Sequence, residues 1–212
     1  MIVKTALSRN FISYLVIFII ISCDNVDHPI PKQNADTSIS VETVNAKKGK
    51  PTSYSTYLIR KGQHSTTSPY KSIKTNLLRF EAVFDKSAIY TTVLVTNQAD
   101  INKLYGMSDC GSLHQNNSAR YGWRWYNNRL EILGYVYNSG KWSYKYITSV
   151  DLDKPYTYEI SLLSQSYLFS VNGVKVSLPR NCSGYGSGYM LYPYFGGDET
   201  APHDITIRIR DL

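Results

Sequence analysis

The feature that most constrains the fold is a succession of short, alternating apolar and polar segments separated by turn residues. Such alternation is typical of strands with one buried face. Asn172-Gly173 is a strong signal for a two-residue hairpin, and it separates two of these segments, residues 167–171 and 174–178. Further predicted strands cover residues 78–84, 119–126, 129–137, 142–150, 156–163 and 205–209. About ten strands without alternating helices predict an all-β sandwich or barrel.

One segment departs from this pattern. Ile101, Leu104 and Tyr105 are three and four residues apart and precede Gly106. This is the spacing of one face of a helix, and glycine commonly follows a helix end. The sequence therefore predicts a short helix over residues 100–105.

The first 22 residues have the composition of an export signal. Lys4 and Arg9 are their only charged residues, and a nearly continuous apolar stretch begins at Phe11. A basic start followed by a short apolar stretch is typical of a secretory signal peptide. The stretch ends in the letters IISC at Cys23, which resembles the lipobox of bacterial lipoproteins, where the cysteine is lipidated and becomes the new N-terminus.

This resemblance implies a lipid anchor at Cys23 and a place in the bacterial cell envelope, with the outer membrane favoured and the side of the membrane left open. An ordinary membrane segment with an incidental cysteine is the alternative. Residues 24–53 contain three prolines and no aromatic residue, which predicts a flexible tether. The predicted organisation is a signal peptide at 1–22, the lipidated cysteine and tether at 23–53, and one β-sandwich domain at 54–212.

The cysteine count fits an exported protein. If Cys23 carries lipid, Cys110 and Cys182 remain as a pair, and exported proteins meet an oxidising environment. The sequence predicts a disulfide between them, with two free thiols as the alternative. No cysteine and histidine spacing typical of zinc occurs. Asp198 and Glu199 are a weak signal for calcium, so no cofactor is expected and calcium stays an open alternative.

Three stretches together resemble concanavalin A-like jelly-roll domains, the fold of many lectins, laminarinase-type glycosidases and polysaccharide lyases. They are SARYGWRWY from Ser118, YVYNSG from Tyr135 and LYPYFGGDETAPHDI from Leu191, accompanied by the hairpin FSVNGVKV. The Glu-x-Asp-x-x-Glu motif of the glycosidases and the Gln-Ile/Val-His motif of alginate-lyase-like jelly rolls are absent. The resemblance therefore implies the fold and favours a non-catalytic domain without excluding an enzyme.

Strand alternation predicts a basic and aromatic face. Arginine rarely lies unpaired in a core, so the strand phase that contains it is expected to face outward. Arginine can form paired hydrogen bonds with carboxylate or sulfate, and tyrosine rings can pack against sugar faces. The alternative is that tyrosine simply fills a solvent-facing β surface. The predicted carbohydrate-binding residues are Arg120, Arg124, Tyr126, Tyr135 and Tyr137. Trp123 and Trp125 alternate with the arginines along the same strand and are therefore predicted to point into the core.

The formal net charge of +7 permits nucleic acid, anionic glycan or anionic membrane as a partner, and export excludes nucleic acid as an expected one. The leading hypothesis is a lipid-anchored, carbohydrate-binding jelly roll for an acidic polysaccharide. One alternative is a divergent polysaccharide lyase or glycoside hydrolase. For a lyase, His114 and Tyr194 are the candidate catalytic residues, because histidine titrates near neutrality. The other alternative is a structural envelope lipoprotein that contacts another protein.

Overall fold

The computed structural model of the chain describes residues 53–212. The predicted signal peptide, Cys23 and nearly all of the predicted tether lie outside the described residues. No helix within residues 53–212 is long and apolar enough to cross a membrane.

Two short 3-10 helices, Lys86–Ala88 and Val95–Ala99, accompany the strands of the described residues. The twelve strands are β1 (Ser55–Ile59), β2 (Ser72–Thr75), β3 (Leu77–Phe84), β4 (Asn102–Ser108), β5 (Asn117–Tyr126), β6 (Arg129–Asn138), β7 (Lys141–Val150), β8 (Tyr156–Leu162), β9 (Ser166–Val171), β10 (Val174–Pro179), β11 (Gly186–Leu191) and β12 (Ile205–Asp211).

The strands form two six-stranded antiparallel sheets, so the predicted β-sandwich is confirmed. The first sheet has the order β1-β12-β3-β8-β9-β10, and the second has the order β2-β11-β4-β5-β6-β7. Asn172 and Gly173 both have positive φ, at 45° and 90°, between the paired strands β9 and β10. Two consecutive positive φ angles are what a type I′ hairpin requires, which explains the Asn-Gly pair.

Aromatic residues dominate the core between the sheets. The rings of Phe80 and Tyr158 are stacked with centroids 5.0 Å apart. The buried hydroxyl of Tyr121 lies within hydrogen-bond distance of the backbone of Glu159 and Ser170, and so connects β5 in the second sheet to β8 and β9 in the first. Trp123 is fully buried, as its strand phase predicts. A buried tyrosine that keeps its hydroxyl hydrogen-bonded can therefore serve as a core residue here.

The short helix predicted over residues 100–105 is wrong, because most of this segment belongs to strand β4. The strand lies between β11 and β5, and its residues are buried on both faces apart from partly exposed Lys103. Its register with β5 shifts between Lys103 and Gly106. This bulge interrupts the two-residue alternation, and the apolar positions then acquire a helix-like spacing.

A covalent and an ionic link join the two sheets where β4 and β10 end. Cys110 and Cys182 form a disulfide with Cα atoms 5.8 Å apart. Beside it, Arg180 Nε donates to Asp109 Oδ2 at 2.7 Å, and both side chains are completely buried. Tyr167 donates to the same oxygen at 2.8 Å. Burial alone raises the pKa of Asp109, but the hydrogen bonds from Arg180 and Tyr167 outweigh it and hold that pKa below its ordinary value.

Candidate functional site

The candidate site lies on the outer face of the second sheet, the face that points away from the first sheet. Residues directly opposite each other on paired strands point to the same side. Arg120 on β5 is opposite Tyr135 on β6, which is itself opposite Tyr144 on β7. The side chains that meet around this row are Lys103, His114, Arg120, Tyr135, Tyr137, Trp142, Tyr144, Tyr189 and Tyr194.

Arg120 is the central residue of this face. Its Nη2 donates to the carbonyl oxygen of Tyr192 at 3.2 Å, while its Nε is buried and has no hydrogen-bond partner. None of the described carboxylates forms an ion pair with it. Burial lowers the pKa of Arg120 to about 10, and nearby tyrosines, first among them Tyr135, oppose that shift. Arg120 is partly buried, and a guanidinium withdrawn from water normally has an anionic partner, so this one is suited to accept a ligand anion.

Lys103 adds a second cation to the same face. Its Nζ donates to the carbonyl oxygen of Ile101 at 2.6 Å and lies 4.5 Å from the ring centroid of Tyr135. Burial, followed by repulsion from Arg120, lowers the pKa of Lys103 to about 8. The Asp100 carboxylate partly opposes this shift. Two neighbouring cations without an ion-pair partner favour an anion between them.

The pKa of Lys103 predicts a pH-dependent free energy of unfolding. Between about pH 8 and pH 10.5 the unfolded chain holds a proton on Lys103 that the folded chain lacks, so this residue's contribution to stability rises with pH. The penalty for burying the ammonium is complete below that window and absent above it. We expect Lys103→Met to raise the free energy of unfolding by about 1–2 kcal/mol at neutral pH and by less near the upper end of the window.

Urea denaturation at neutral pH and near pH 10.5 measures this effect. Lys175→Met is the matched control, because Lys175 is an exposed lysine on β10 in the first sheet, and it should show no difference between the two pH values. An equal stabilisation by Lys103→Met at both pH values would contradict the prediction.

His114 and Tyr189 form a hydrogen-bonded pair beside Arg120. The hydrogen bond between His114 Nδ1 and the Tyr189 hydroxyl is 2.9 Å long, and the His114 backbone N–H donates to the same oxygen at 3.1 Å. Burial, then the charge of Arg120, lowers the pKa of His114. The imidazole is therefore neutral at physiological pH, and the pair can transfer a proton.

Tyr194 is held on the same face by a different set of contacts. Its backbone pairs with that of Lys103 through hydrogen bonds of 2.8 and 2.9 Å. Its ring stacks on His64 with centroids 5.3 Å apart and planes 10° apart. His64 Nδ1 is in turn hydrogen-bonded to the carbonyl oxygen of Phe195 at 2.8 Å. The structure thus places His114 against Tyr189, while Tyr194 lies against His64, and Arg120 is close to both tyrosines.

The predicted carbohydrate face divides into two parts. Arg120, Tyr135 and Tyr137 belong to the cluster just described. Arg124 and Tyr126 lie further along β5 on the same face, but Arg124 Nε donates to Glu131 Oε2 at 2.9 Å and its guanidinium covers the Tyr126 ring at 4.7 Å. Glu131 lies opposite Arg124 on β6 and is almost completely buried there. Glu131 also accepts hydrogen bonds from Arg129, and Arg124 Nη1 donates to the carbonyl oxygen of Ala99 at 2.7 Å. Arg124 is therefore engaged within the protein through both an ion pair and a backbone contact, unlike Arg120.

Several residues of the cluster escaped sequence reasoning. Lys103 fell within the predicted helix, and Tyr189 is separated from His114 by 75 residues. The alternation of Trp142 and Tyr144 along one strand, continued by Tyr146, is visible in the sequence, but their exposure is seen only in the structure. Alternating aromatic residues on a strand can face either solvent or a second sheet. The two cases have the same sequence pattern and differ only in whether another part of the protein packs against the rings.

Several candidate metal ligands in residues 53–212 are engaged in other bonds. One group of three, Asp109, Cys110 and Cys182, could bind a metal by distance, but its two sulfurs form the disulfide. Glu199, considered as a calcium ligand, accepts hydrogen bonds from the backbone of Val93 at 2.7 Å and of Leu94 at 2.8 Å. Its carboxylate therefore fastens the loop before Val95–Ala99.

No protein-family model and no curated protein sequence matches the chain. Solved structures do match it. The alginate lyase AlyC3 superposes with a TM-score of 0.51 and 11% sequence identity, covering 74% of this chain and 72% of that chain. The fold is a concanavalin A-like jelly roll. At this identity, the likeness establishes the fold of the jelly roll and nothing about its activity.

Two further jelly-roll structures are similar at lower scores. The catalytic domain of an endo-1,3-beta-glucanase (laminarinase) from Thermotoga petrophila has a TM-score of 0.49 and 13% identity, covering 74% of this chain and 76% of that chain. The alginate lyase vAL-1 from Chlorella virus has a TM-score of 0.48 and 12% identity, covering 74% of this chain and 82% of that chain.

Proposed function

We propose that this chain is a lipid-anchored protein of the bacterial cell envelope whose jelly roll binds an acidic polysaccharide on the outer face of the second sheet. One observation carries the proposal. Arg120 is a partly buried guanidinium with an unsatisfied Nε and no described carboxylate partner. The carboxylate of a uronic acid unit would supply the missing charge and the missing hydrogen-bond acceptors.

The surroundings of Arg120 favour sugar over a small inorganic anion. Tyrosine rings and hydroxyls surround the guanidinium, and they can pack on a sugar ring and bond its hydroxyl groups. A cleft of about 710 Å³ adjoins Tyr189 and reaches the edge strand β2, where Lys74 lines it. The alginate lyase with the same fold acts, by its name, on an acidic polysaccharide, which is consistent with this ligand class.

The anchor and the location rest on the N-terminal sequence. The lipobox-like segment ending at Cys23 supports lipidation, with the outer membrane as the favoured site. The disulfide between Cys110 and Cys182 is consistent with an exported domain, because such bonds persist in oxidising compartments. Loss of membrane retention in a Cys23→Ala variant would support the anchor, and unchanged retention would argue against it.

A polysaccharide lyase is the second candidate function, favoured by the hydrogen bond between His114 and Tyr189 beside Arg120. In β-elimination, Arg120 would neutralise the uronate carboxylate and so acidify the C5 proton. Neutral His114 could take that proton while Tyr189 protonates the leaving glycosidic oxygen. The C4–O bond breaks as the C4=C5 double bond forms.

A single experiment separates the two functions. The full-length protein in detergent is titrated with uronic, sulfated and neutral oligosaccharides, while heat of binding and ultraviolet absorbance are followed. We expect tight binding of the uronic series and weak or no binding of the neutral series. Absorbance from an unsaturated product would identify a lyase, provided His114→Ala and Tyr189→Phe each abolish it and retain binding. Failure of every acidic oligosaccharide to bind would refute the proposed function.

A further inference from the structure

We propose that the exposed rings of Trp142 and Tyr144, which together with the underlying Tyr135 are here called the aromatic row, form a stacking subsite for the sugar units next to the one bound at Arg120. The outer face would then bind an internal stretch of at least three units of a polysaccharide chain. The inference rests on the proposed function and extends it to the length and direction of the ligand.

The rings of the aromatic row are nearly parallel. The planes of Tyr135 and Trp142 differ by 4° with centroids 6.3 Å apart, and those of Trp142 and Tyr144 differ by 7° with centroids 6.1 Å apart. Trp142 is 59% exposed and Tyr144 is 44% exposed, while Tyr135 is buried beneath them. Trp142 and Tyr144 therefore present ring surface to solvent in one common orientation, with Tyr135 packed beneath them.

The position of the row argues against a purely structural role. Trp142 and Tyr144 are on β7, the outermost strand of the second sheet, opposite Tyr137 and Tyr135. They point away from the core, so their ring surface stabilises no interior packing. Edge strands are usually protected by charged side chains, and β7 already carries Lys141 and Lys145 for that purpose. Exposed tryptophan with a preset orientation is characteristic of binding surfaces.

The spacing between the row and Arg120 suits an extended sugar chain. Arg120, Tyr135 and Tyr144 occupy three successive strands, and neighbouring strands lie about 4.8 Å apart, close to the length of one pyranose unit. A chain crossing the strands therefore places one unit at each. Lys103 lies over Tyr135, where it can meet the carboxylate of the second unit.

Oligouronates of increasing length test the subsite in the full-length protein. We expect Trp142→Ala and Tyr144→Ala each to weaken binding of a hexamer by about tenfold and to leave a dimer unaffected. Arg120→Leu should weaken both. Leu77→Ala is the matched control, because Leu77 is 45% exposed on β3 of the first sheet. The unaltered protein should show a blue shift of Trp142 emission on hexamer binding, and the shift should vanish in Trp142→Ala.

The outcomes separate this inference from the function on which it rests. Binding that needs Arg120 but is the same in Trp142→Ala for every length would overturn the subsite alone, and would leave the aromatic row to a protein contact. Equal weakening of dimer and hexamer would also overturn it, because the row would then act on the unit at Arg120. Absence of binding to any oligouronate would overturn the subsite and the proposed function together.

Discussion

Arg120→Leu is expected to abolish binding of acidic oligosaccharides and at the same time to stabilise the fold. The guanidinium is partly buried without a carboxylate, and its Nε has no hydrogen-bond partner. Replacement of an uncompensated buried charge by an apolar side chain removes a desolvation penalty. We expect the free energy of unfolding to rise by about 1–2 kcal/mol, because part of the penalty is relieved by residual exposure and by the Tyr192 carbonyl oxygen.

The effect on binding should be larger. Truncation of one partner of a desolvated charge pair costs about 2–5 kcal/mol, which corresponds to a Kd raised by roughly 30-fold to several thousand-fold. Calorimetric titration and thermal unfolding measure the two changes. Arg208→Leu is the control, because Arg208 is exposed on β12 of the first sheet, and it should leave oligosaccharide affinity unchanged. Lost binding accompanied by lost stability would instead identify Arg120 as a structural residue.

Asp109→Ala should be the most destabilising single change at the junction of the two sheets. It leaves the completely buried Arg180 without its ion-pair partner, and it removes the acceptor for Tyr167 and for the backbone of Cys110 and Ser187. Breaking a buried ion pair by removing one partner typically costs about 3–5 kcal/mol. We expect a loss of that size in the free energy of unfolding.

Urea denaturation of Asp109→Ala against the unaltered protein measures this loss. Asp151→Ala is the control, because Asp151 and Lys154 form an exposed ion pair, and its midpoint should not move. The effect should reach the candidate site for two reasons. Asp109 immediately precedes the loop that carries His114, and its carboxylate accepts a hydrogen bond from the backbone of Ser187, two residues before Tyr189. A destabilisation no greater than that of Asp151→Ala would contradict the assigned role.

Together these variants distinguish residues that serve binding from residues that serve folding. Arg120 and Lys103 are expected to lower the stability of the free protein, because burial disfavours the charge of each and neither forms an ion pair within the described residues. Residues whose removal stabilises a fold and weakens its function are characteristic of binding and active sites. Removal of Asp109 or Arg180 should instead destabilise the fold, because the two charges compensate each other inside the protein.

Local features of the sequence were sufficient to predict much of the architecture. Asn172-Gly173 specified a hairpin because its positive φ angles are a property of two adjacent residues. The alternation around Arg120 and Tyr135 placed both side chains on one face, because strand geometry has a period of two. The same reasoning failed over residues 100–105, where the bulge after Lys103 interrupts that period and depends on the neighbouring strand.

The sequence by itself therefore determined the all-β class, the hairpin at Asn172-Gly173 and the shared face of Arg120 and Arg124. Only the tertiary structure decided which arginine has an ion-pair partner: Arg124 shares Glu131 with Arg129, whereas Arg120 lies without a carboxylate among tyrosines. It also brought Tyr189 to His114 across 75 residues. The physical reason is that strand conformation follows from neighbours in the chain, while charge compensation and hydrogen bonding in a sandwich follow from neighbours in space.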